Sequence, residues 1–244
     1  YGSEPQIIAC SATIGNPKEL AERLLSRSFH VISESGAPLE EKALLAHFPE
    51  DKASSAAVKM LGACLKNNLK TIVFTKSRRS TELIYHYITA KRPELQSRLA
   101  IYRAGFLPEH RRKIEQQLFQ DKLSGVISTS ALELGVNIGG LDCCILVGFP
   151  GSVSSLWQRA GRVGRKKQPS LVVYVAGEDA LDRYWYENYE KLSQSPIEKA
   201  IVYEDNDNIT DQHLECAADQ LILEPGSNYP ANEHIDNRIE SLVG

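Results

Sequence analysis

Residues Gln158 to Arg165 read Gln-Arg-Ala-Gly-Arg-Val-Gly-Arg, three arginines and two glycines in one short segment. Guanidinium groups stay charged at any working pH and meet phosphate oxygens through two parallel N–H bonds. Glycine lets a backbone approach a ligand or a facing chain closely. A solvated basic face would use lysine as readily as arginine and would not space glycines between the charges, so the segment reads as phosphate-handling. No G-x-x-x-x-G-K-[ST] run and no strand-ending Asp-Glu pair accompanies it. The cradle and the Mg2+ carboxylates of an NTPase are therefore missing. Arg162 and Arg165 then suit a finger that stabilises charge on a phosphoryl group supplied from elsewhere. The chain reads as half of an active site, unable to hydrolyse ATP alone, its arginines pointing at solvent.

Such a segment needs a scaffold. Apolar, β-rich runs at residues 6–10, 30–33, 71–75, 99–102, 125–129, 143–148 and 171–175 predict strands. Helical periodicity falls between most of them, at residues 17–25, 54–67, 80–90, 108–119 and 154–163, with Asn16, Ser77 and Ser152 as candidate N-caps. Strand and helix alternating through short connections predict an α/β fold, a parallel sheet with helices on both faces. Ligands of such sheets collect at the carboxyl ends of the strands. Residues 34–53 carry Pro and Gly without clear periodicity and read as a linker. The two strands and one helix ahead of them are too little to bury a core, and look like the end of a domain that begins elsewhere. Beyond Val175 come an aromatic helix from Asp182, an Asp/Asn-rich loop and a helix at residues 211–220, a short helical C-terminal extension. Tyr184, Trp185 and Tyr189 could stack bases, but their spacing fits anchoring of a helix on the core better.

The chain's 244 residues are enough for one large or two small cores without disulfides or metals. The five cysteines form no C-x-x-C pair and read as reduced core thiols, with no metal site expected. His110 and His213 have no partners at metal spacing and read as structural. No signal peptide and no apolar run of membrane-spanning length is visible, which makes the cytoplasm the expected location. Net charge is −3, unevenly placed: residues 200 to 244 hold ten acids and one base, leaving a balance of +6 on residues 1 to 199. A basic body with clustered arginines fits a polyanionic partner.

The Gln158 to Arg165 segment resembles motif six of superfamily-two helicases, and the rest of that family's second motor lobe follows in order. Ser11-Ala12-Thr13 resembles motif three, Thr71 to Ser77 motif four, Tyr102-Arg-Ala-Gly-Phe the segment after it, and Ser128 to Asp142 motif five. Five such matches in register over residues 10 to 175 are specific where any one would be weak. Ser-Ala-Thr-Ile-Gly-Asn-Pro, Ala-Leu-Glu-Leu-Gly-Val-Asn-Ile and His213-Leu-Glu-Cys-Ala-Ala218 are most similar to the YprA (MrfA) branch of bacterial repair helicases. The resemblance implies a RecA-like lobe driven by ATP and Mg2+, both bound mainly by a first motor lobe of the same polypeptide. It also implies movement on single-stranded DNA, with 3′ to 5′ polarity, and a zinc-binding domain further on.

By the same resemblance, Arg162 and Arg165 are the catalytic arginines, Gln158, Gly135 and Asn137 lie near the nucleotide, and Ser11, Ala12 and Thr13 couple the lobes. Asn137 stands where the family often has Asp, keeping a hydrogen bond to ribose but losing the charge. Glu133 is either a ligand-side carboxylate or a polar residue at a helix start. Thr75, Ser77, Arg103, Gly105, Arg112 and Thr129 match positions that touch the nucleic-acid backbone. Hydroxyls, glycine amides and arginines at strand ends grip phosphate without reading bases, as movement over any sequence requires. Capping remains the rival role for Ser77, and turn formation for Thr129. The expected division is 1–36 for the end of the first lobe and start of a linker, 37–178 for the second lobe, and 179–244 for the extension. The rival class is a nucleic-acid-binding or docking module with a RecA-like fold and no motor activity.

Overall fold

A computed structural model describes residues 5–34, 36, 41–134, 138, 140–164, 169–203, 206–224 and 233–243. Two compact units divide the chain, Tyr1–Lys199 and Ala200–Gly244.

The first unit is built on a six-stranded sheet. Its strands are β1 (Lys42–His47), β2 (Thr71–Thr75), β3 (Leu99–Tyr102), β4 (Gly125–Ser128), β5 (Cys143–Val147) and β6 (Ser170–Val175). The order across the sheet is β1-β6-β5-β2-β4-β3, and every pairing is parallel. Parallel strands need crossovers, and α2 (Ala53–Lys66), α3 (Arg78–Lys91), α4 (Pro108–Phe119) and α5 (Val153–Ala160) lie in four of them, while α1 (Pro17–Leu25) precedes the sheet and α6 (Ala180–Glu187) follows it.

Because side chains alternate along a strand, each central strand feeds two cores. Ile72, Phe74, Cys144, Leu146, Val172 and Tyr174 face one side, where Leu118 of α4 and Leu156 and Ala160 of α5 cover them. Val73, Cys143, Ile145, Val173 and Val175 face the other, beneath Ala57 and Leu61 of α2 and Ile84 and Ile88 of α3. This is the α/β, RecA-like sheet with helices on both faces that the strand and helix alternation predicts. Adjacent Cys143 and Cys144 part to opposite faces, as the alternation requires, and Cys64 is buried with its Sγ 3.7 Å from that of Cys143. Cys10 and Cys216 are exposed, which corrects the reading of all five as core thiols.

Two strand expectations fail. Residues 6–10 and 30–33 form no strand, and Ile8 and Ile32 are 80% and 85% exposed. An apolar run becomes a strand only where a neighbour completes its ladder, and among the described residues none does. Conversely, the segment read as a linker contains β1, an edge strand paired with β6 and only half buried. Its apolar run, Ala-Leu-Leu-Ala, is made of helix-favouring residues without the β-branched ones that mark the inner strands, so composition does not announce a strand there.

The second unit contains α7 (Asp207–Ala218) and α8 (Glu233–Val243). Buried Leu214 and Ile239 pack it, and Arg238 donates Nε to Asp211 at 2.8 Å. No described helix is long and apolar enough to cross a membrane.

Candidate functional site

The arginine segment begins on α5, which follows the turn at the carboxyl end of β5. Ser152 caps the helix by accepting the Ser155 amide at 3.0 Å, as its sequence position predicts. Val153, Leu156 and Ala160 form a buried apolar stripe. The remaining positions fall on two polar stripes, and each has its own partner.

Ser155, Arg159 and Arg162 are spaced four and three apart and all converge on Glu133. The Ser155 hydroxyl donates to Glu133 Oε1 at 2.7 Å and Arg159 Nε to Oε2 at 2.9 Å. Arg159 is buried and its guanidinium lies over the Phe74 ring, 5.3 Å from the centroid. Arg162 donates Nε to the Glu133 carbonyl at 3.1 Å, and its Nη2 reaches the same oxygen. At 7% exposure Arg162 does not point at solvent, contrary to expectation. A carbonyl acceptor from the motif-five segment draws the guanidinium inward. Glu133 follows the Ser130–Leu132 turn and starts no helix, and its carboxylate is engaged by Ser155 and Arg159. Arg165, Gly135 and Asn137 lie outside the described residues.

Ser154 and Gln158 form the second stripe, and it faces Thr13. Ser154 Oγ lies 3.0 Å from both the carbonyl and the hydroxyl oxygen of Thr13, and Gln158 Nε2 donates to that hydroxyl. Ser11 and Ala12, exposed, precede this contact. The segment singled out for coupling therefore meets the first residue of the arginine cluster.

The positions expected at nucleic acid gather at the carboxyl ends of β2, β3 and β4, but they differ in availability. Thr75 is 1% exposed, its hydroxyl 2.7 Å from that of Thr81 and 3.1 Å from the Ser77 carbonyl. Ser77 is exposed and caps α3 by accepting the Ser80 amide at 3.1 Å. Arg103 pairs with Glu82 at 3.3 Å and lies over the Phe106 ring, while its Nε is buried without a partner. Gly105 holds φ +96°, a conformation that favours glycine, and a Cβ there would approach the Arg78 guanidinium. Arg112 is exposed on α4, and Thr129 is half-buried at the end of β4. Exposed Arg78 and Arg79 open α3 beside them.

Asn16 stands at the N-cap of α1 without capping it, its Nδ2 donating instead to Glu19 at 3.3 Å. Sequence reasoning missed a buried carboxylate at the same edge of the sheet. Asp182, 2% exposed, accepts the Phe149 amide at 2.6 Å, the Gly177 amide at 2.8 Å and Lys76 Nζ at 2.9 Å. It ties the ends of β2, β5 and β6 together. The signal was present as Asp179-x-x-Asp182, a capping pair in which Asp179 accepts the Asp182 amide at 2.9 Å. Lys76 is consequently engaged: burial would lower its pKa, but Asp179 and Asp182 together raise it above the usual lysine value. On the same helix Trp185 stacks on Phe149 at 5.1 Å, which supports packing over base stacking for that residue, whereas Tyr184 is half exposed.

The helicase conserved C-terminal domain family matches residues 53–167. The ATP-dependent helicase YprA of Bacillus subtilis is 38% identical over 97% of this chain and 33% of its own length. The crystal structure of helicase MrfA bound to DNA and AMPPNP superposes with a TM-score of 0.88 at 36% identity, over 99% of this chain and 35% of that one. Residues 53–167 thus belong to the helicase conserved C-terminal domain family, and the chain is similar throughout to the C-terminal lobe of superfamily-two helicases. It spans about a third of the length of these relatives. The fold extends further, to the Mycobacterium smegmatis helicase Lhr, with a TM-score of 0.77 at 22% identity. In the terms of the sequence resemblance, Gln158 joins the segment like motif six to the segment like motif three at Thr13, and Arg159 and Arg162 join it to the segment like motif five at Glu133.

Proposed function

We propose that the chain is the C-terminal motor lobe of an ATP-dependent DNA helicase, contributing arginine fingers and single-strand backbone contacts to a nucleotide held mainly by the first lobe. The junction of Thr13 with Ser154 and Gln158 carries the reading. In the family resemblance Thr13 belongs to the segment that couples the lobes and Gln158 lies near the nucleotide, and their hydrogen bond lets a change at one be felt at the other. Relatives described as ATP-dependent helicases, and a similar structure bound to DNA and AMPPNP, support the same assignment. By the family resemblance Mg2+ enters with the ATP bound mainly by the first lobe. There the ion would neutralise charge on the phosphates.

In this reading residues 1–36 close the first lobe, residues 37–178 form the second lobe, and residues 179–244 form the extension, which begins with α6 packed on the core of the lobe. ATP draws the lobes together. Arg165 meets the γ-phosphate, and Arg162 exchanges the Glu133 carbonyl for a phosphate oxygen as the cleft closes. Arg103, Arg112, Ser77, Gly105 and Thr129 hold the strand's phosphates at the sheet edge, with Thr75 bracing Ser77 from within. Repeated closing and opening moves the strand.

The test is Arg165→Ala in the full-length protein. Loss of an arginine finger slows phosphoryl transfer by about 10³-fold or more, while binding of a labelled single strand stays within about twofold, because phosphate contacts elsewhere supply it. Near-normal ATP turnover in that variant overturns the assignment and leaves the binding-module reading.

A further inference from the structure

Glu198 reaches α5 from outside every helicase motif. Its carboxylate accepts the Val153 amide at 2.6 Å and the Ser154 amide at 2.9 Å. These are the first amides of the helix, which have no acceptor within it, and a negative charge is favoured at that end. The Glu198 carbonyl meanwhile accepts the Gly15 amide at 3.0 Å. One residue thus holds both sides of the junction, the start of α5, which runs on into motif six, by its side chain and the turn after Thr13 by its backbone. Gly15 is matched to this path. A Cβ at that position would lie 2.3 Å from the Ile197 carbonyl oxygen and 3.1 Å from that of Glu198, and backbone atoms cannot swing aside as a side chain can. Ile197 and Glu198 form a strap laid over the motif-three turn, immediately before the chain enters its second unit at Ala200.

We propose that Glu198 is a positioning residue that keeps Thr13 in register with Gln158, so that the segment leading into the accessory unit sets how strongly DNA binding is coupled to ATP turnover. The proposal rests on the helicase reading above. Removing the carboxylate should not unfold α5, since Ser152 still caps the Ser155 amide and the apolar stripe stays buried. What is lost is the anchor of residues 13–15, and with it the register of two coupled segments.

In the full-length protein, Glu198→Ala should lower the stimulation of ATP turnover by single-stranded DNA by about fivefold or more. DNA-free turnover and the KM for ATP should stay within about twofold, because no group near the nucleotide has changed. Glu198→Gln keeps one acceptor oxygen and should lose less. Gly15→Ala, which displaces the strap and leaves the carboxylate in place, should reproduce the Glu198→Ala defect. Combining Glu198→Ala with Thr13→Val should cost no more than the larger single loss, since both act through one junction. Unchanged stimulation in Glu198→Ala, or losses that multiply in the double variant, overturns the proposal. Amide exchange on the same chain separates this from a failure of the helicase reading. Faster exchange at Gly15, Val153 and Ser154, with β2 unaffected, is expected in Glu198→Ala. Unchanged exchange overturns the strap however the helicase behaves, whereas an unmodified parent that never hydrolyses ATP overturns the helicase reading instead.

Discussion

A guanidinium with 7% of its side chain exposed has lost most of its water, and Arg159 replaces it with the Glu133 carboxylate at 2.9 Å and the face of Phe74. Removing one member of such a pair leaves the other charge buried without compensation. Glu133→Gln should therefore destabilise the lobe by about 3 kcal/mol, within the range for broken buried pairs. Glu133→Gln combined with Arg159→Met should recover part of that loss, because no charge then remains to be desolvated. Urea unfolding of Glu133→Gln, Arg159→Met and the double variant checks this, and a double variant as unstable as the sum of the two singles would show that the pair is not the source. The sequence exposes the chemical character of these residues but not their assignment. Within Gln-Arg-Ala-Gly-Arg-Val-Gly-Arg the sequence singles out Arg162 and Arg165 for phosphate and leaves Arg159 without a stated role. Only the stripe formed by Ser155, Arg159 and Arg162, read against an acceptor more than twenty residues earlier in the chain, shows that Arg159 is internal and Arg162 held. Glu198 gives no local signal at all, since it meets α5 across 44 to 45 residues of chain.

At the scale of elements, α5 is a short helix whose two ends depend on groups from outside it. Burial would raise the pKa of Glu198, but its bonds from Ser154 and Val153 prevail and hold the carboxyl below the ordinary 4.5. A carboxylate with a depressed folded pKa contributes its stability above the unfolded value and loses it as pH falls through the folded one. Wild type should thus exceed Glu198→Gln in melting temperature at neutral pH, and the gap should close as pH falls below 4.5. A gap that persists into stronger acid would mean that the carboxylate acts by shape and not by charge. The same dependence on outside groups decides which elements are legible. Inner strands β2, β4 and β5 are buried on both faces, so their apolar runs mark them plainly, and α1 and α4 begin at prolines that fix their first turn. Edge strand β1 escapes notice because its Ala-Leu-Leu-Ala run favours helix as much as strand. The runs at residues 6–10 and 30–33 have strand composition without a partner, and composition alone cannot supply the ladder.

For the molecule as a whole, charge is what a nucleic acid first meets. The basic balance of +6 lies on residues 1 to 199, within the unit that carries the sheet, and the acids gather in residues 200 to 244. Arg78, Arg79 and Arg112 are exposed, and Arg103 lies near them in the chain order of the strand ends while sharing its charge with Glu82. Each cation that neutralises a phosphate releases condensed counterions, so the logarithm of the binding constant for a single strand should fall with the logarithm of salt, with a slope of about −0.7 per contact. A fluorescent oligonucleotide titrated into this chain at several salt concentrations measures that slope directly. Arg112→Ala should make it shallower by about 0.7 without changing preference among base sequences, because a phosphate contact carries no base information. Arg103→Ala should act more weakly, since Glu82 already offsets part of its charge and the contact with Phe106 favours a packing role. A slope unmoved by Arg112→Ala removes α4 from the interface, whereas binding indifferent to salt means that phosphate is not what this edge of the sheet holds.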